Sequence, residues 1–237
     1  MEHLATLAER CEHLKELCPN IRICIPFFRN IKVDNDTDEV QFLDQYLGIW
    51  CPKSVCWAPG WLPDPNGNGY FGDRMDEQSE QGDKVWWYVC WEPGAPYCNL
   101  YLNECSVDHR ILFWQQYMTG VNGFLYWNST YWNFVNNPWE SMVTVPSLST
   151  NVYGDGSLLY PGKPVGVKGA CGSVRLECVR DGIEDFEMFK LAEAKFGKSW
   201  VMTQINKVTT SVTSHNYSSD LFAQVRKAVG DALSNAS

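Results

Sequence analysis

The chain has 237 residues, 45% of them hydrophobic and 20% charged, with a formal net charge of −9. That length suits one large domain or two small ones, and the composition is that of a globular chain. The acidic balance argues against nucleic acid or an anionic membrane as the main partner, no apolar run is long enough to span a membrane, and an uncharged ligand fits best.

Leu4, Leu7, Cys11, Leu14 and Cys18 form a helical stripe that ends at Pro19-Asn20, and this charged opening shows no export signal. Ile21, Ile23 and Ile25 alternate as a short strand closed by Pro26. Asp36 or Thr37 is placed to cap a second helix carrying Val40, Leu43, Tyr46 and Leu47. Gly48 to Pro52 reads as a second strand, followed by a Pro/Gly/Asn-rich loop from Ala58 to Gly69 and a weak helix around Asp73 to Gln81. Val85 to Trp91 is the third strand. Ser106 is expected to cap a helix with Ile111, Trp114, Gln115 and Met118 on one face, stopped by Gly120. Phe124 to Trp127 is the fourth strand, and Asn128 to about Gly172 is too long for a mere connector. Ser173 opens a helix with Leu176, Val179, Ile183, Phe186 and Phe189 inward, and segments around Trp200–Val208 and Asp220–Leu233 complete a C-terminal helical extension over 196–237.

Four helix–strand alternations with near-continuously apolar strands predict an α/β domain of parallel β/α units. No Gly-rich phosphate loop follows any strand, which removes the usual reason for a doubly wound sheet. A (β/α)8 TIM-barrel-type fold is favoured, of which four strands are half, the chain reading as one domain over 1–237. The ten cysteines show no zinc-site spacing, so no metal and no cofactor is expected. Cys11/Cys18 and Cys171/Cys178 are each seven apart, which suggests buried free thiols on helix faces, and Cys24 and Cys90 fall in strand-like runs. Free thiols lean towards a reducing compartment, though the compartment stays open.

Aromatic residues gather where the third and fourth strands open into loops. Flat rings at such places suit sugars, whose apolar faces stack on them while hydroxyls take a few fixed polar partners. Core packing explains Trp86 and Trp87 better; Trp91, Trp127 and Trp132 suit either role.

The segments GIWCP, KVWWYVCWEP, RILFWQQYMTGVNGFLYWN, GDGSLLYPG and SVRLECVRDGIEDFE, in that order over most of 45–195, give the chain a resemblance to the catalytic domain of family 123 glycoside hydrolases. The resemblance implies action on β-linked N-acetylgalactosamine by a substrate-assisted retaining mechanism, with the 2-acetamido group as nucleophile and an oxazoline intermediate. It also implies an Asp-Glu pair at the end of the fourth barrel strand, the Glu acting as general acid. The four strands here then correspond to the fifth to eighth, and that pair falls outside this sequence. The chain alone is expected to be inactive. The missing half-barrel, or a second copy, is the expected protein partner beside a carbohydrate ligand.

Within the chain, Glu92 is the carboxylate nearest a barrel mouth and the only candidate acid. Tyr88 is placed to bond an acetamido carbonyl, Trp91, Trp127 and Trp132 to stack on or wall a sugar, and Asn128 to bond a hydroxyl. Asp155, in a Gly-Asp-Gly turn, reads as a local backbone hydrogen-bonder, and Asp181, Glu184 and Asp185 as solvated or paired with Arg175 or Arg180. His3, His13 and His109 fall on helices and His215 in a late loop, which leaves no histidine at a strand end. Two other functions stay open: a carbohydrate-binding protein without catalysis, and a structural remnant whose aromatics are only core.

Overall fold

The computed structural model describes residues 2–27, 33–34, 37–58, 71–142 and 152–236. In chain order these contain α1 (Glu2–Leu17), β1 (Cys24–Phe27), α2 (Glu39–Leu43), β2 (Ile49–Pro52), α3 (Phe71–Glu80), β3 (Lys84–Val89), α4 (Ser106–Met118) and β4 (Gly123–Tyr126). After β4 come β5 (Leu159–Pro161), β6 (Ala170–Gly172), α5 (Val174–Phe196), α6 (Lys198–Ile205), β7 (Thr209–Ser211), β8 (Ser214–His215) and α7 (Ser219–Asn235). Two compact units result, Met1–Tyr88 with Val121–Leu125, and Val89–Gly120 with Tyr126–Ser237. The expected loop over 58–69 lies almost wholly outside the described residues, as does Asp36.

The first unit is built on one mixed α/β motif, a sheet of order β1-β2-β3-β4. Cys24 faces Ile49 and Ile49 faces Lys84 in parallel register, which requires a crossover between successive strands. Trp50, Cys51 and Trp87 are fully buried, as strands covered on both faces demand. Trp50 satisfies its indole N–H on Asp83 at 2.8 Å, and Trp57 meets Trp87 edge-on at 5.7 Å. Two expectations shift here. The first strand starts at Cys24 and runs through Pro26, which a strand at the sheet edge tolerates because no ladder donor is needed on its open side. Asp38 caps α2, in a reciprocal box with Gln41, and its other oxygen accepts from Arg74 at 2.9 Å.

The second unit packs α4 against α5 and closes with α6, α7 and two short hairpins, β5–β6 and β7–β8. The buried face of α5 is Arg175, Val179, Gly182, Asp185, Phe189 and Ala192. A Cβ on Gly182 would come within 2.3 Å of the Phe113 ring, so glycine is what lets α4 approach. Asp185 accepts from Arg110 at 2.7 and 3.0 Å, Trp114 at 2.9 Å and Arg226 at 2.6 Å, tying α4, α5 and α7 together. Asp185 is therefore not solvated, and its partners are neither Arg175 nor Arg180. Ile183 is exposed and Leu176 and Phe186 are half-buried, because glycine, arginine and aspartate hold the inward positions that an apolar stripe would assign to them.

Ser173 caps α5 as expected, whereas α4 is capped from Cys105, whose amide donates to Asp108 at 3.0 Å. Cys171 lies on β6 and Cys18 just past α1, so neither seven-residue pair shares a helix face. All ten cysteines are free, yet Cys18 and Cys105 are exposed. His215 lies on β8. Among the described residues no helix is long and apolar enough to cross a membrane.

Candidate functional site

The site grows from the turn Gly154-Asp155-Gly156, whose glycines take φ of +72° and +71°, a region that suits residues without a Cβ. The turn sends the Asp155 carboxylate inward, where it is fully buried. Tyr126, the last residue of β4, donates its hydroxyl to Asp155 Oδ1 at 3.1 Å and accepts the Gly156 amide at 2.7 Å. Trp127 follows directly, and its indole N–H donates to both Asp155 oxygens at 3.1 and 3.2 Å. A Cβ on Gly156 would lie 2.5 Å from the Trp127 ring, so the second glycine is also the floor under the indole. Tyr131 packs edge-on to the ring at 4.6 Å.

Arg175, buried on α5, holds the turn from behind. It donates to the carbonyls of Leu100 at 2.6 Å, Gly154 at 2.7 Å and Ser157, and to the Tyr160 hydroxyl at 3.3 Å. The guanidinium thus fixes both flanks of Asp155 without pairing to it. Burial raises the Asp155 carboxyl above its usual range, against the pull of Trp127, Tyr126, the Gly156 amide and the Arg175 charge. Burial, then the charge of Asp155, likewise raises the Tyr126 phenol.

The result is an indole that is 39% exposed yet pinned at its nitrogen and its floor. The ring is thus held in place, and the carboxylate below positions it without reaching the surface itself. Asp155 is therefore more than a local backbone hydrogen-bonder. The Gly-Asp-Gly motif is visible in the sequence, but its two aromatic donors lie 28 and 29 residues upstream. A cavity of about 510 Å³ opens in the same unit, with Leu102, Trp139, Tyr160, Ser173 and Arg175 among its walls. Trp139, half-exposed, packs at a tilt against Tyr160 at 4.9 Å and donates to the Pro161 carbonyl at 2.8 Å. Sequence reasoning missed this second aromatic pair, since Trp139 lies in a loop with no periodicity.

The other expected site residues are spread more widely. Tyr88 belongs to the first unit, is nearly buried and is bridged to Lys53. Trp91 and Glu92 lie on the loop after β3, the indole exposed and the glutamate half-buried. Asn128 spends its side-chain oxygen on the amides of Ser129 and Thr130 at 2.8 and 2.9 Å, an Asx-type turn. Trp132 is half-buried, its indole nitrogen sealed without a hydrogen-bond partner.

Two adjacent Asp-Glu pairs occur in the sequence, and neither sits at a strand end. Asp38 of Asp38-Glu39 caps α2, while Asp76-Glu77 lies within α3, where Glu77 reaches Arg74 at 3.4 Å.

Comparison with known proteins agrees with this architecture. The structure of a family 123 glycoside hydrolase from Clostridium perfringens, solved to detail glycolipid glycan hydrolysis, superposes with a TM-score of 0.59 at 18% sequence identity. The match covers 98% of this chain and 44% of that one, so the chain spans less than half of its length. No curated protein matches. The model of the glycoside hydrolase 123 catalytic domain matches residues 61–192, a span that takes in the third and fourth strands, the Asp155 turn and most of α5. With more than half of its residues under that match, the chain belongs to the glycoside hydrolase 123 family.

Proposed function

We propose that the chain binds glycans carrying β-linked N-acetylgalactosamine and contributes part of the substrate site of a retaining, substrate-assisted hydrolase. The observation that supports this most is the Trp127 indole, exposed on one side and locked by a fully buried carboxylate. An indole needed only for packing would be covered; one needed for a ligand must be both open and fixed. Trp91, Glu92, Asn128 and Trp132 are proposed as further ligand contacts. The similar structure's work on glycolipid glycans makes a glycolipid headgroup the natural larger ligand to try.

In the proposed reaction the acetamido oxygen attacks the anomeric carbon and the glycosidic bond breaks. The leaving oxygen takes a proton from a general acid, and water then opens the oxazoline. Among the described residues, Glu92 is the part-exposed carboxylate that follows a strand of the four-stranded sheet. The acid is proposed to come from outside these residues. A missing general acid lowers rates by about 10²–10⁴-fold, so the chain alone should not hydrolyse an aryl β-N-acetylgalactosaminide above background. Addition of the N-terminal part of a family member should restore turnover. Turnover by the chain alone that is lost in Glu92→Gln would make Glu92 the acid instead.

Binding is tested by tryptophan fluorescence against N-acetylgalactosamine. Trp127→Ala should weaken binding by about 1–3 kcal/mol, the scale of one stacking ring and its covered area. A folded chain that shows no saturable change would overturn the proposal.

A further inference from the structure

A second cluster of chemically competent side chains lies in the second unit, and the glycan reading leaves it without a use. Cys98 follows the loop after β3, Asp108 is in the first turn of α4, and His215 is on β8. Segments more than a hundred residues apart meet there. His215 Nε2 and Asp108 Oδ1 are 2.6 Å apart, while His215 Nδ1 faces Cys98 Sγ at 3.9 Å. The three ligand atoms lie within 4.8 Å of one another, and the Cys98 side chain is 1% exposed. Glu104 lies beside this group without belonging to it: its Oε2 accepts from the Asn99 amide at 3.0 Å, while its Oε1 is buried and makes no hydrogen bond.

The order thiol, imidazole, carboxylate is that of a nucleophilic triad, but the surroundings oppose this use. A nucleophilic cysteine is partly open and its pKa is lowered by a nearby cation. Here the Cys98 side chain is almost wholly buried, and the charged groups beside it, Asp108 and Glu104, are acidic. Three acidic groups thus share one buried place with one imidazole, and what the place lacks is positive charge.

We propose that Cys98 and His215 bind one metal ion of the zinc class, with Asp108 orienting the imidazole and Glu104 offering a further oxygen. A tetrahedral zinc with Zn–S near 2.3 Å and Zn–N near 2.0–2.1 Å sets its sulfur and nitrogen about 3.6 Å apart. The observed 3.9 Å needs only a small closure, and it is wide for a good thiol–imidazole hydrogen bond. A carboxylate on the far nitrogen is the usual partner of a metal-bound histidine, since it fixes which ring nitrogen faces the ion. The ion displaces the thiol proton, since a coordinating thiol is held as thiolate. With the Cys98 and His215 side chains almost wholly buried, the ion acts on stability, and water completes its tetrahedron. It staples the β7–β8 hairpin to the start of α4.

The test uses the whole chain, stripped with a chelator under a reducing agent that does not bind metal, and titrated with Co²⁺. One ion per chain should give a thiolate-to-cobalt absorption band that Zn²⁺ displaces. Zinc at a hundredfold excess over its Kd should raise Tm by about 5–10 °C. The band should vanish in Cys98→Ser and in His215→Ala, and persist in Cys18→Ser, which removes an exposed thiol. Should Cys98→Ser fail to fold, Asp108→Asn decides. A fall of about 10–100-fold in cobalt affinity supports the site, and unchanged affinity overturns it. A folded wild-type chain with no thiolate–cobalt band, or a band that survives in folded Cys98→Ser, also overturns it.

Discussion

Two aspartates of the second unit, Asp155 and Asp185, are both fully buried, yet they are met in opposite ways. Asp185 is answered by charge, with the guanidiniums of Arg110 and Arg226 in direct contact and the Trp114 indole as a third donor. Asp155 is answered by neutral donors alone, a phenol, an indole and its own turn. The nearest guanidinium, that of Arg175, spends its hydrogens on carbonyls. The first carboxylate is a clamp among helices. The second is a seat that orients an exposed ring, and burial lifts its pKa against the pull of its donors and of the Arg175 charge. Equal burial therefore does not mean equal role; what satisfies the charge separates a clamp among helices from a seat for an exposed ring.

The comparison breaks first on stability. Asp185→Asn takes the buried anion from Arg226 and from Arg110, which keeps Asp181 at 3.2 Å, and should cost about 3 kcal/mol, the low end for a broken buried pair because both guanidiniums are partly exposed. Urea unfolding should show this as a large fall in midpoint with an unchanged slope. Asp155→Asn, which keeps one acceptor for the two rings, should cost only about 1–2 kcal/mol. The same variant should still loosen Trp127, seen as a shift in its emission and weaker binding of N-acetylgalactosamine. Equal losses at the two positions would end the distinction.

Dependence on pH sharpens it. The folded Asp155 carboxyl lies above its unfolded value of 3.8, so its contribution is fully present below that value. It is lost as pH rises through the raised one. Asp155→Asn should flatten that part of the stability profile. Glu104 extends the test to a third carboxylate, with a folded value of about 8 against 4.5 unfolded. Between these values the folded state holds a proton that the unfolded state has lost, so stability should fall with rising pH, by at most about 1.4 kcal/mol per unit. Glu104→Gln, measured in chelator, should remove the slope. The smallest effect is expected at Ile183, which shares α5 with Asp185 but faces water. Ile183→Ser should change stability by no more than about 0.5 kcal/mol.

Strand existence was legible because β2, β3 and β4 are short apolar runs with turn residues on both sides, and their predicted limits lie within two residues of those observed. The first strand was placed too early because Ile21 and Ile23 mimic alternation, and Pro26 was read as a stop although an edge strand accepts it. On α5 the 3.6-residue period was right and its phase was misread. Its inward face mixes glycine, arginine and aspartate with apolar residues, and an apolar template cannot register polar groups that partners from α4 and α7 neutralise.

By itself the sequence determined the α/β character, the main helices, the four strands of the sheet, the family and the aromatic residues that flank the strand ends, because periodicity, caps and motifs are local in the chain; the short strands β5 to β8 fell in stretches read as loop or helical extension. Only the tertiary structure decided what each polar group does. Asp155 found its partners 28 and 29 residues away, and Asp185 and His215 found theirs across the second unit, Asp185 in Arg110, Trp114 and Arg226 and His215 in Asp108. A buried charge takes its meaning from what surrounds it, and that environment is assembled by folding from segments that no sequence spacing connects.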